Sequence, residues 1–287
     1  MILVTGATGH VGGAVVRRLA AAGHDVVAMV RDPRTAAEQL PPGIALRVAD
    51  YDDASALRGA FAGIDEVVLI SSDGDANAVM RHHANAIEAA AAAGARHIVF
   101  TSIVDVDDRS PFYFAPVYRD AERRLAACGV PTTILRCSLY CEFILEHWLS
   151  SSRASGELAL PAEDGRVAPI SRDDVAAAVA AVAANPDKTA SIHALTGNPA
   201  LGFGEMTAAY GETVGRQISY RPCSIDEYRT AATAQLEDPW PAAFSTLCAS
   251  IAQGRYSGIS NDFAALMGRE PESCQDVFRR KMPAAKA

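Results

Sequence analysis

Lysine is nearly absent from this chain. Of its 26 basic residues only Lys188, Lys281 and Lys286 are lysines, and none precedes position 188. Any mechanism that needs a lysine in the N-terminal half is thereby excluded. A basic surface is missing too: the formal charge is −8, the pI is near 5.4, and no run of five basic residues occurs. Nucleic acid and membrane surfaces are therefore not expected as partners. The six cysteines, at 128, 137, 141, 223, 248 and 274, form no Cys-x-x-Cys pair and no zinc-finger spacing. They read as reduced thiols of a cytoplasmic protein, and no metal site is expected. Apolar stretches long enough to span a bilayer are lacking. The opening Met1-Ile-Leu-Val-Thr-Gly6 has no basic region and runs straight into a glycine turn, so no secretory signal is expected. Neither the Gly-x-Ser-x-Gly elbow of α/β-hydrolases nor the Gly-x-x-x-x-Gly-Lys of nucleotide hydrolases is found.

What is present is an ordinary globular composition, 49% hydrophobic and 21% charged, which excludes disorder as the default. At about 150 residues per domain, 287 residues make one large or two interlocked domains. Short runs rich in Val, Ile and Thr recur at Ile2–Thr5, Asp25–Val30, Ile44–Val48, Glu66–Ile70, His97–Thr101 and Thr132–Leu135. Helical patterns at His10–Ala22, Asp53–Phe61, Ala76–Ala93 and Arg119–Ala127 lie between them. Near-continuous apolar strands separated by helices predict βαβ units around a parallel sheet buried on both faces. The fold class is thus α/β, a doubly wound Rossmann-type sheet over residues 1–150.

After about Ser150 the rhythm changes, and residues 151–287 are expected to form a smaller α/β lobe interlocked with the first part. Ser171 caps an Ala-rich helix running to Ala184, with Asp173 and Asp174 in its positive first turn. A strand at Ser191–Leu195, a helix from Phe203 to Val214 stopped by Gly215, a strand at Ile218–Tyr220, a loop at Gly254–Gly258 and a last helix at Ser273–Arg280 follow.

The sharpest motif is Gly6-Ala-Thr-Gly9-His-Val-Gly12, directly after the first strand and opening the first helix. Gly6 permits the tight turn, Gly9 lets the backbone approach a pyrophosphate, and Gly12 lets helix and strand pack closely. The helix N-terminus supplies N–H donors and positive dipole. The end of the second strand bears on which dinucleotide binds. Where an NAD site carries an acid for the ribose hydroxyls this chain has Arg31, whose guanidinium matches a 2′-phosphate, so NADP(H) is expected. Asp32, if turned inward, is the alternative. Asp50, ending the third strand, is placed for the adenine edge. Ser71 and Ser72, ending the fourth, either flank the adenosine side or serve the turn.

Several stretches together resemble the NmrA-like branch of the atypical short-chain dehydrogenases/reductases. They are Val4–Gly12, Val30-Arg-Asp-Pro33, Ala49-Asp-Tyr-Asp52, Phe100-Thr-Ser102, Glu122 with Leu125, Gly129–Arg136, Asp174-Val-Ala176, Thr196-Gly197 and Gly268-Arg-Glu-Pro271. Within that branch the sequence is similar to bacterial NADPH-dependent quinone and triphenylmethane-dye reductases. The resemblance implies NADPH along the strand ends, touching Thr8, His10 and Val11 of the turn, Thr101, and Cys137-Ser138. It also implies a substrate cleft between sheet and C-terminal lobe. Two features depart from the relatives' pattern. Cys137-Ser138 stands where they tend to have Asn-Gly or Pro-Gly, and Glu142-Phe143 where they often have Glu-Asn.

Typical members of the wider family use Tyr-x-x-x-Lys, the lysine lowering the tyrosine pKa. Here the candidate is Tyr118-Arg-Asp-Ala-Glu122, and a carboxylate at that place is expected to raise the phenol instead. Tyr118 is read as a hydrogen-bond donor to a substrate carbonyl, with Ser102 as the next donor. Phe112-Tyr-Phe114, with Tyr118, is an aromatic group read either as core or as a bed for a flat substrate. Adjacent His82 and His83 diverge by about 100° on a helix and cannot chelate one metal, so a solvated or capping role is expected. Cys137 and Cys141 are read as buried small residues one helical turn apart. Three functions are compatible. One is hydride transfer from NADPH to a quinone-like acceptor, whose delocalised product needs no strong acid. The others are a tailoring reductase or isomerase acting on an aromatic biosynthetic substrate, and a non-catalytic NADP(H)-sensing regulator. A homodimer is compatible with all three.

Overall fold

The computed structural model describes residues 1–185 and 192–282. Its first half alternates as β1 (Ile2–Val4), α1 (His10–Ala21), β2 (Val26–Val30), α2 (Pro33–Gln39), β3 (Ala45–Val48), α3 (Ala54–Phe61), β4 (Glu66–Leu69), α4 (Ala76–Ala92), β5 (His97–Ile103), α5 (Ala115–Ala127) and β6 (Thr132–Cys137). There follow α6 (Cys141–Ile144), a π-helical turn (Leu145–Leu149), α7 (Ser150–Ser155), β7 (Glu157–Leu160), β8 (Arg166–Val167), α8 (Arg172–Ala184), β9 (Ile192–Leu195) and β10 (Leu201–Gly202). The chain ends in α9 (Phe203–Val214), β11 (Ser219–Pro222), α10 (Ile225–Thr233), α11 (Trp240–Ala252), α12 (Asp262–Met267) and α13 (Cys274–Lys281).

Seven strands form one sheet in the order β3-β2-β1-β4-β5-β6-β9, every neighbouring pair parallel. β1, β2 and β4 are buried along their whole length, as strands covered on both faces must be. The edges differ: on β3 Val48 is 57% exposed, and on β9 Ile192 is 45% exposed. One face carries α1 and α8, packed through Val11, Val15, Leu19, Val175 and Val179. The other carries α3, α4 and α5, packed through Leu57, Phe61, Ile87, Ala90 and Leu125. α8 is so rich in alanine that helix and sheet close tightly on it, and nine of its thirteen residues are buried.

Beyond residue 150 the chain does not stay apart from the sheet. α8 returns to pack beside α1 and β9 adds the seventh strand. α12 joins them through buried Phe263, and the other elements, with the preceding π turn, gather a third core around Trp148, Phe203, Tyr210 and Phe278, with β7 pairing β11 and β8 pairing β10. Gly268-Arg-Glu-Pro271 is explained by a latch between these parts. Buried Asp174 accepts from Arg269 Nη2 (2.6 Å) and from the Glu272 backbone N–H (2.7 Å), tying the C-terminal segment to the start of α8.

Candidate active site

The strand order reverses between β1 and β4, and open α/β sheets take their ligands outside the carboxyl ends of the strands at such a point. The turn after β1 lies there. Gly6 has φ +58°, and its carbonyl accepts from Gly9 N–H at 2.9 Å. A Cβ on Gly12 would lie 2.2 Å from the Gly6 carbonyl oxygen, and one on Gly9 3.2 Å from it, so a substituted residue 12 cannot fit. Gly9 caps α1 without a side-chain bond. The first N–H groups of the helix are thus left for an external anion. Thr8, Gly9 and His10 are exposed on this turn, while Val11 and Gly12 are buried beneath it.

At the end of β2, Arg31 is exposed and, among the described residues, has no ion-pair partner. Asp32 is turned the other way: it accepts from the Arg34 N–H (2.9 Å) and from Thr35 Oγ1 (3.2 Å), capping α2. Its inward alternative is not taken. Arg34, in the first turn of α2, is exposed as well. Asp50 is exposed after β3, with Oδ1 accepting from the Asp52 N–H at 2.9 Å.

The serines after β4 face a histidine pair. Ser71 Oγ lies 2.9 Å from His83 Nε2, and Ser72 Oγ lies 2.9 Å from His82 Nδ1. The expectation of a solvated or capping role is corrected for His83, while His82 stays partly exposed. His83 is 1% exposed, and burial draws its pKa down to about 4. His82 stacks on Tyr51 and reaches Asp52. The Ser71 N–H donates to buried Thr101 Oγ1 at 3.2 Å, so Thr101 fixes the serine.

Tyr118 packs against Phe100 and His83, with ring centroids 6.4 and 5.8 Å away, and not with the Phe112–Phe114 loop. Burial raises its pKa, the nearby Ser71 hydroxyl opposes this, and Cys137 and Asp73 add to it. Glu122 has no part in that shift. It takes a bidentate pair from Arg136 (3.0 and 2.6 Å) and the hydroxyl proton of Ser102 (2.6 Å). The carboxylate in the place of the family lysine therefore serves an Arg–Glu–Ser brace beneath the site, and the Ser102 hydroxyl is committed to it.

Cys137 ends β6, and burial pushes its thiol up to about 12, which makes it an inert filler. It is not one helical turn from Cys141, because a strand ends and a helix begins between them. Ser138 is 4% exposed and its Oγ has no partner. An orphaned buried hydroxyl at the strand ends, a glycine cradle and an uncapped helix N-terminus all fit a dinucleotide. Glu142 is buried, with Oε2 accepting from the Arg172 N–H at 2.9 Å.

Over this floor stands a chain of rings. Tyr113 and Phe112 pack on Phe114, Phe114 lies 6.0 Å from Trp240, Trp240 lies 5.7 Å from Phe244, and Phe244 lies 5.3 Å from both Phe143 and His147. Most are half-exposed. They come from the loop before α5, from α11, and from α6 with the π turn, a feature frequent at functional sites. Sequence reasoning found only the first group. The wall is braced from behind by buried Asp105, which accepts from Ser110, Ser250 and Arg255. Among the described residues no cluster suited to a metal ion occurs, and no helix is long and apolar enough to cross a membrane.

The family model for NAD(P)H-binding proteins matches residues 6–186. Quinone oxidoreductase 2 of Escherichia coli is 34% identical over 236 residues, covering 80% of each chain. An NAD(P)H azoreductase of Xenophilus azovorans is 26% identical over 270 residues, 94% of this chain and 93% of its own. Among solved structures, the E. coli NADPH-dependent quinone oxidoreductase complexed with NADPH superposes with a TM-score of 0.89 at 29% identity, covering 98% of this chain and 99% of that one. Triphenylmethane reductase of Citrobacter sp., complexed with NADP(H), gives 0.89 at 28% with the same coverage. With this glycine turn, this strand order and these relatives, the protein belongs to the NAD(P)H-binding oxidoreductase family.

Proposed function

We propose that the protein is an NADPH-dependent reductase that passes hydride to a flat, conjugated acceptor of the quinone type. The observation that carries this reading is the row of rings in which half-exposed Phe114 and Trp240 are backed by buried Phe244, together with a glycine turn that suits a dinucleotide. Relatives named for quinones, azo compounds and triphenylmethane dyes support it. When bound, NADPH supplies the hydride.

The chain's own residues do the rest. The N-terminus of α1 holds the pyrophosphate through the backbone of Gly9–Gly12. Arg31, with Arg34 beside it, meets the 2′-phosphate, a match of fork and oxyanion that an NADH ribose lacks. Asp50 faces the adenine side. Ser138 and the end of β6 line the nicotinamide end. The aromatic wall takes the acceptor face-on and excludes water. The raised pKa of Tyr118 keeps its Oη protonated at neutral pH, so it donates a hydrogen bond to the acceptor oxygen as charge develops there. The product anion of a quinone is delocalised, so no lysine is needed to drive the proton across.

The test is steady-state oxidation of NADPH against a panel of quinones, triphenylmethane dyes and polyphenols. Turnover with a quinoid member, and a lower KM for NADPH than for NADH, is the expected result. Tight NADPH binding without turnover on any acceptor would overturn the reading in favour of a sensor.

A further inference from the structure

We infer that Asp105 is a positioning residue for the acceptor: it locks the Phe112–Phe114 loop to α11 so that the rings present one fixed face, which favours planar acceptors over twisted ones. The inference rests on the reductase reading above and names what selects the acceptor within it.

Asp105 lies just beyond β5, is 3% exposed, and ties together segments from both halves of the chain. Its Oδ2 accepts from Ser110 Oγ (2.5 Å), in the loop that leads to Phe112, and from Ser250 Oγ of α11. Its Oδ1 accepts from Arg255 Nη1 at 3.5 Å, just past the end of α11. Arg255 also reaches Asp107 Oδ1 (3.3 Å) and the Arg109 carbonyl (3.1 Å). Ser110 Oγ in turn accepts from the Phe112 N–H at 3.1 Å. A second stitch lies one turn back along the helix, where Thr246 Oγ1 accepts from the Tyr113 N–H at 3.0 Å. Thr246 and Ser250, one turn apart on α11, thus hold the loop. Trp240 and Phe244, one turn apart on the same helix, carry the rings that meet Phe114 and Phe143.

Packing alone does not call for this arrangement. A carboxylate is costly to bury, and apolar residues would hold loop and helix together at less cost. What hydrogen bonds add is direction. Two hydroxyls converging on one oxygen fix the separation and register of the segments that carry them. Phe114 and Trp240, with ring centroids 6.0 Å apart, come one from each segment, so the tie sets their relative placement. A wall fixed in advance binds a planar acceptor without first having to order its rings. The same rigidity resists re-forming around a propeller-shaped molecule. Asp105, buried behind the rings, touches neither acceptor nor cofactor and acts through the wall.

The test uses the full-length protein, NADPH, a planar naphthoquinone and a propeller-shaped triphenylmethane dye. Ser110→Ala and Ser250→Ala each cut one side of the tie. Each should raise KM for the quinone about 5–20-fold, keep kcat and the Kd for NADPH within about 2-fold, and shrink the preference for quinone over dye. Since either change alone opens the link, the double variant should be no worse than the worse single. Asp105→Asn, whose amide oxygen still accepts from both serines, should keep most of the quinone affinity, and Asp105→Leu should not. Losses that add, or that fall on kcat or NADPH binding with the quinone-to-dye preference unchanged, would overturn the proposal.

A readout without turnover separates wall from chemistry. Of the two tryptophans, Trp148 is buried in the third core, so acrylamide quenching of fluorescence reports on half-exposed Trp240. Quenching should rise in both serine variants, with Trp240→Phe as the blank. Unchanged quenching would refute the tie even if Asp105→Leu fails to fold. Wild-type protein that reduces no acceptor would defeat the reductase reading, while the quenching measurement would still decide whether Asp105 holds the wall.

Discussion

In the proposed function Arg31 carries the distinction between the two nicotinamide dinucleotides, because Asp32, the residue that could have favoured NADH, spends both its oxygens on the first turn of α2. Arg31→Ala should weaken NADPH binding by about 1.5–3 kcal/mol, the range for a charge-assisted hydrogen bond, and leave NADH nearly unchanged. Titration of both cofactors checks this; equal losses would make Arg31 structural. Tyr118→Phe should lower kcat on a quinone only about 3–30-fold, roughly 0.7–2 kcal/mol, since the product anion is already delocalised. A loss of several thousand-fold in the same assay would make the phenol an essential acid. His83 predicts an acid limit. The native protein holds the ring neutral down to a pKa of about 4, whereas the unfolded chain takes up a proton below about 6.5. Stability should therefore fall as pH drops through that window, by about 1.4 kcal/mol per pH unit from this group, and level off below it. Denaturant titrations of wild type and His83→Gln measure the slope; an identical slope in the variant would remove His83 as its source.

Elements differ in how openly they announce themselves. β1, β2, β4, β5 and β6 are short apolar runs bounded by turn residues, and α9 ends at Gly215 as its sequence pattern predicts. α1 begins at the glycine turn, and α8 begins one residue after its Ser171 cap. α2 was passed over because Pro33–Gln39 is short and has little apolar face, Ala36 being its one buried residue. The stretch from Cys141 to Ser155 was missed for a different reason. A π turn inserts an extra residue, so the 3.6-residue period that marks a helix is broken at Leu145–Leu149. β8 and β10 are two residues each, too brief for any alternation to register. In the candidate site, the tight geometry of the glycine turn and the exposed place of Arg31 after β2 were legible because they are local. The partners of Glu122 and Ser71 were not, since Arg136 and His83 reach them only through the fold. Asp174 shows the same dependence on tertiary contact. Asp174→Ala should cost about 1.5–3 kcal/mol, the value of charge-assisted bonds to Arg269 and the Glu272 N–H. A denaturant titration checks it, and an unchanged midpoint would show that the C-terminal latch is dispensable.

On the scale of the whole molecule, two layers of helices hold a parallel sheet while the chain beyond residue 150 does two jobs at once. α8 and β9 complete the sheet and its cover. α11 sets Trp240 and Phe244 beside Phe143 of α6 and His147 of the π turn, both of which precede residue 150. In the proposed function the first half builds the cofactor site, both halves build the acceptor wall, and hydride passes from one to the other. A single-turnover reaction with NADPH deuterated on its transferable position, mixed with the enzyme and a quinone, tests that crossing directly. The account predicts deuterium in the hydroquinone-forming step, seen as a slower loss of reduced-nicotinamide absorbance than with unlabelled NADPH, and a slowing of the same kind in Tyr118→Phe. Reduction that proceeds without an isotope effect even when chemistry is made limiting, or NADPH that stays bound and unoxidised beside the quinone, would contradict it.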